Sequence, residues 1–201
     1  MEQAGILRDD ENVELIDGEI ITMAAKSPRH EDMRALLAEH FSDSRPKDVR
    51  IAQEPAFRLS NHHEPEPGII LFPRPLVPSK VRGNSVMLVV EVAVTSLSSD
   101  MTIKAPIYAA HGVREYWVVD ARRLVVHVHR DPGPDGYASI REVPPAERIE
   151  PLLVPSVGLA LADLGLEPML GEDEVDGTAR RGHATWIGAS TSAKPSASSE
   201  R

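Results

Sequence analysis

Residues 86–94, VMLVVEVAV, form an apolar run that carries a single charge. A valine-rich run of this length marks a strand covered on both faces, as at the centre of a parallel or mixed sheet. Glu91 sits inside it, and an unpaired carboxylate buried in such a strand is strongly destabilising. The chain must therefore supply Glu91 with a cationic partner or with a bound cation. Lys104 lies thirteen positions later, in the first turns of the helix expected after the strand. A connection of that kind can fold its amine back over the strand's end. On the residues alone two readings stay open. One is a structural Glu91–Lys104 ion pair, and the other is a metal ligand with a lysine that stabilises charge on a reacting phosphate.

The surrounding sequence sets this strand in a mixed domain. VELIDGEIITM places Asp17-Gly18 between two apolar runs, a two-residue hairpin signal. Ser27-Pro28 supplies an N-cap followed by proline at the first helical position, and Met33, Leu36, Leu37, His40 and Phe41 recur at helical spacing, predicting a helix over 28–41. Strands are expected over 49–59 and 69–72, around the turn NHHEPEPG. After Asp100 the spacing predicts a helix whose Ile103, Ile107 and Ala110 share a face and which stops at Gly112, with Pro106 unsettling its start. EYWVVD, RLVVHVHR and YASIREV then read as an antiparallel meander, and the stretch from Leu152 supplies one last short strand. The domain organisation expected is a mobile leader over 1–12, one folded domain over 13–166 and a disordered tail over 167–201.

Composition narrows the chemistry. With 201 residues the chain holds one cored domain plus tails. Having no cysteine, it has no thiolate metal site, and any metal must be held by carboxylates, carbonyls or histidines, which favours hard cations such as Mg²⁺. A formal charge of −9 opposes tight binding of a polyanion unless basic residues gather on one face. Arg45, Lys47, Arg50 and Arg58 are the densest basic run and the candidate phosphate-contacting patch, though solvated charges flanking a strand explain them equally. No apolar run is long enough for a membrane helix and the first residues are acidic, so the expected location is cytoplasmic.

The ordered series ELIDGEI, PRH, QEPAFRLS, EPEPG, LVVEVAVTS, DMTIKAPIYAAHGVREYWVVD and VPSVGLAL resembles the Uma-type family of putative restriction endonucleases, within the PD-(D/E)XK nuclease-like superfamily. The resemblance runs over about residues 11–165 and is most specific between Lys104 and Asp120. It implies an α/β (α+β) fold with a restriction-endonuclease-like mixed central sheet flanked by helices, an antiparallel meander in its C-terminal half, and divalent-metal-dependent hydrolysis of phosphodiester bonds in DNA. It assigns the catalytic centre to Glu91, Lys104 and Glu14, with Mg²⁺ or Mn²⁺ as cofactor, DNA as partner, and homo-oligomerisation left open. His30 matches the family's helix-start histidine.

At Gly68 the chain departs from the family. Where relatives carry the aspartate that is the principal metal ligand, this chain reads EPEPGIILF. Glu66, two residues earlier on the same face of an extended segment, is the candidate substitute ligand beside Glu91. The cost is a spacing of about 6.6 Å that the longer side chain recovers only in part. The resemblance therefore implies an impaired endonuclease, with an inactive nuclease-fold protein that binds nucleic acid or a protein partner as the alternative. His62 and His63 read as solvated loop residues on opposite faces, and His127 and His129 as an exposed pair on one meander strand.

Overall fold

The computed structural model describes residues 13–23 and 25–169. The leader expected over 1–12 and the tail beyond residue 169 lie outside the described residues; residues 167–169 carry no regular structure.

Strands β1 (Val13–Ile16) and β2 (Glu19–Thr22) form a separate two-stranded sheet. Asp17 and Gly18, at φ 53° and 80°, make the turn with both central residues left-handed, as hairpin twist requires. Helix α1 (Pro28–Ser44) begins where its cap predicts: the Ser27 hydroxyl accepts from the His30 N–H at 3.3 Å. It runs three residues past the expected end and stops at Arg45, whose extended backbone is what a following proline imposes.

The main sheet has six strands in the order β3 (Val49–Gln53), β4 (Ile69–Pro73), β5 (Leu88–Ala93), β6 (Glu115–Asp120), β7 (Val125–Gly133) and β8 (Gly136–Val143). Only the β5–β6 pair is parallel, and every other neighbour is antiparallel. This is the mixed sheet with a C-terminal meander that the sequence implied. Alternation along β5 divides the core. Leu88, Val90 and Val92 face Met33, Leu37 and Phe41 of α1, whereas Val89 and Ala93 face the opposite layer with Tyr108 and Tyr116. Glu91 shares that second face, between Val89 and Ala93.

Three elements depart from expectation. Strand β3 ends at Gln53, because Glu54 turns left-handed at φ 48° and Phe57 and Leu59 bond back to Pro65 and His63. Residues 149–161 form no strand; a single Ile149–Leu159 bridge and short 3₁₀ turns lay Val154, Val157 and Leu161 under the α1 layer. The helical stretch after β5 comes in pieces: α2 (Leu97–Ser99), a π-helical turn (Asp100–Lys104) and α3 (Ala105–Ala110). Pro106 has no N–H to give and its ring would strike the preceding turn, so the helix widens just before it, the Ala105 N–H reaching back to the Asp100 carbonyl. The widening rotates the face: Ile103 is exposed, as is Ala110, while Lys104, Ala105 and Tyr108 turn inward. Gly112, at φ 79°, ends the stretch as its position predicted.

Candidate active site

Three segments deliver four ionisable groups to one place. The hairpin bond Glu64 N–H to Leu15 carbonyl, at 2.8 Å, ties β1 to the extended stretch before β4 and sets Glu14 against it. β5 brings Glu91, and the π-helical turn brings Asp100 and Lys104. All four are buried. The Lys104 ammonium is the hub: Nζ donates to Glu14 Oε1 at 2.9 Å and Glu91 Oε1 at 3.1 Å, and lies 3.6 Å from Asp100 Oδ1.

Further donors hold the same three carboxylates. Tyr108 Oη donates to Glu91 Oε1 at 3.0 Å and the Gly68 N–H to Glu91 Oε2 at 3.2 Å; the Glu66 N–H donates to Glu14 Oε1 at 2.9 Å and Ser96 Oγ to Asp100 Oδ2 at 2.7 Å. Two alternate main-chain N–H groups of one extended segment thus reach the two glutamates.

Three carboxylates around one ammonium leave an excess of negative charge, and the pKa values respond. Burial pushes Glu91 up to about 8; Lys104 opposes that shift, while Asp100 and Glu14 add to it. Asp100 is raised mainly by burial, against the pull of Lys104 and the Ser96 hydroxyl. For Lys104 desolvation is the largest single effect and pulls downward, but the three carboxylates together outweigh it and hold the amine charged. Glu91 and Asp100 thus hold a proton more readily than they would in an exposed set of these groups.

The cluster forms one wall of a cavity of about 180 Å³, which Glu54, Glu66, Gly68, Lys26 and His30 also line. Glu14, Glu91 and Lys104, the expected catalytic set, are therefore together. The Glu66 side chain lines the same cavity but its carboxylate is turned to Lys26, at 3.4 Å. Lys26 also pairs with Glu54 at 2.5 Å, and Arg34 lies 3.4 Å from the same Glu54 oxygen. The His30 ring reaches the cavity from the first turn of α1, its pKa lowered by burial despite Glu31 beside it.

Gly68 sits where the sequence placed the departure. The β4–β5 ladder ends at Ile69 opposite Val90, so one step further sets Gly68 beside Glu91. The Gly68 N–H reaches Glu91 Oε2 at 3.2 Å, so a side chain at this position would start within reach of the Glu91 carboxylate. Its Cβ would approach the Val90 carbonyl at 3.3 Å, a contact that asks for a small adjustment.

As it stands the donor set does not fit a tightly held divalent ion. The carboxylates converge on an ammonium, position 68 offers no side-chain oxygen, and among the described residues no three His, Asp or Glu side chains group as ligands.

Asp100, Tyr108 and Lys26 join this site without having been singled out in the sequence. Asp100 was readable, standing four residues before Lys104 on one helix face; Tyr108 and Lys26 depend on how segments meet. The expected exposed face at His127 and His129 is corrected: His129 is fully buried against Tyr116 and Tyr137, with its pKa lowered by desolvation, and His127 is largely covered. Helix α3 packs over β7 and β8, and the Tyr116 and Tyr137 rings flank His129, which is why this face is closed. His63 is likewise partly covered, against His111 and near Asp17.

The family model for Uma2, described as a putative restriction endonuclease, matches residues 1–162. The chain belongs to the Uma2 family. Among solved structures, a putative nuclease belonging to DUF820 from Anabaena variabilis ATCC 29413 aligns with this Uma2 chain at a TM-score of 0.64 and 17% identity, covering 81% of this chain and 94% of that one. At that identity the likeness establishes the nuclease-like fold. Comparison with curated proteins gives no match. No helix among the described residues is long and apolar enough to cross a membrane.

Proposed function

We propose that this Uma2 chain is an impaired endonuclease, directed to phosphodiester bonds in DNA, with Glu14, Glu91, Asp100 and Lys104 as its catalytic centre. The observation that carries the reading is the place of Gly68, one ladder step beyond the Ile69–Val90 pair and beside Glu91. Restriction-endonuclease-like proteins generally use divalent metals, and a site with one carboxylate fewer holds a hard cation more weakly. Lys104 supplies a fixed positive charge where a phosphate's developing charge would need it, and burial keeps that charge effective. Tyr108 and the Gly68 N–H hold the Glu91 carboxylate in orientation.

The test is nicking of supercoiled plasmid with Mn²⁺ by the full chain, by Gly68→Asp, by Gly68→Ala, and by Gly68→Asp combined with Glu91→Gln. Cleavage should be feeble in the unmodified protein and in Gly68→Ala, rise in Gly68→Asp, and vanish in the double variant. Native cleavage that Gly68→Asp does not exceed would remove the impairment, and no cleavage by any variant would remove the endonuclease.

A second reading, a nuclease fold kept for binding nucleic acid or a protein partner, is favoured by the internal pairing of the buried carboxylates. Retention of DNA in a gel-shift assay, undiminished by Glu91→Gln and with no cleavage by Gly68→Asp, would select it.

A further inference from the structure

The disagreement between the family's metal chemistry and this donor set has a second cause besides Gly68. Glu66 is the carboxylate placed to compensate. It lies two residues before Gly68 in an extended segment, on the same face, and its own N–H is bonded to Glu14 at 2.9 Å. Its side chain and those of Glu14 and Glu91 line one cavity. Yet its carboxylate faces Lys26, and Lys26 is held in turn by Glu54 at 2.5 Å. Glu54 occupies a left-handed backbone position and its N–H bonds to the Gly68 carbonyl at 3.2 Å, so the anchor and the gap belong to one bonded unit.

We infer that Lys26 is a latch that holds Glu66 away from the space left by Gly68 and so keeps the centre free of metal. The ammonium bridges Glu54 and Glu66, so the Glu66 carboxylate is drawn toward Lys26. Removing the amine frees Glu66 to turn inward beside Glu91, where the two carboxylates offer a divalent cation the pair of ligands the unmodified site lacks. Lys26 acts through Glu66 and is a positioning residue.

The inference rests on the impaired-endonuclease reading, and calorimetric titration with Mn²⁺ tests it without relying on cleavage. The proteins are the full chain, Lys26→Met, Lys26→Met combined with Glu66→Gln, and Gly68→Asp. Lys26 is partly exposed, so its substitution leaves the core intact. Lys26→Met should bind one Mn²⁺ about tenfold or more tighter than the unmodified chain, the size of effect expected when an outer partner of a ligand is changed, and Glu66→Gln should abolish the gain. Binding by Lys26→Met equal to that of the unmodified chain, or a gain that survives Glu66→Gln, overturns the latch. If Gly68→Asp binds Mn²⁺ while Lys26→Met does not, the latch falls and the impaired-endonuclease reading stands. If neither binds, both fall.

Discussion

Lys104→Met removes the cation that three carboxylates share while preserving the length of the side chain. Glu14, Glu91 and Asp100 are 3%, 5% and 2% exposed, so water cannot replace the lost ammonium. Breaking a buried ion pair from one side costs about 3–5 kcal/mol, because the surviving charge stays desolvated. At about 2–4 °C per kcal/mol for a folded unit of this size, the melting temperature should fall by roughly 6–20 °C near pH 8. The deficit should shrink in acid. Without Lys104 the carboxylates hold protons more firmly in the folded state than they do in the unmodified protein, so lowering the pH favours the variant. Thermal unfolding followed by circular dichroism, near pH 8 and again near pH 5, reads both effects. A drop of less than about 3 °C near pH 8, or an equal deficit at both pH values, would refute the claim that Lys104 neutralises a buried carboxylate cage.

Glu91, pushed up to about 8, makes a stability contribution that is complete below the ordinary carboxylate range and is lost as the pH rises through about 8. Relative to Glu91→Gln, the unmodified protein should therefore lose up to about 1.4 kcal/mol per pH unit across that window in urea unfolding, and a difference that stays flat would contradict it. Arg130→Met strips its partner from Glu115, which is fully buried and paired to Arg130 at 2.7 Å. Allowing for solvent screening of the part-exposed arginine, the expected cost is about 2–3 kcal/mol in the same assay. Ser27→Ala removes the N-cap of α1 and should cost about 1 kcal/mol, visible as a lower urea midpoint with an unchanged slope.

Periodicity carried most of this fold because the strongest patterns report burial. The valine run around Glu91 became a strand covered on both faces, and Ser27-Pro28 opened α1 at the residue expected. The boundaries that moved did so for reasons local pattern does not contain. Glu54 ended β3 by turning left-handed, and Pro106 widened the helix ahead of it, which put Lys104 and Tyr108 inward and left Ile103 outside. The site was legible in its charged members, since a carboxylate within an apolar strand demands a partner. What the sequence could not display was the direction of Glu66, set by a lysine forty positions away, or the closure of the His127–His129 face, set by helix α3 and two tyrosine rings packed on it.

The cage joins Glu14 to Lys104 across 90 positions of chain. The hairpin bearing Glu14 leaves the ribosome before Lys104 does, so its glutamate has no ammonium to meet until residue 104 has been made. Bringing together contacts that far apart in sequence costs loop-closure entropy. The desolvated cluster therefore exists only in a chain that has already brought the hairpin, β5 and the π-helical turn together, and its burial reports on long-range assembly rather than on any one segment.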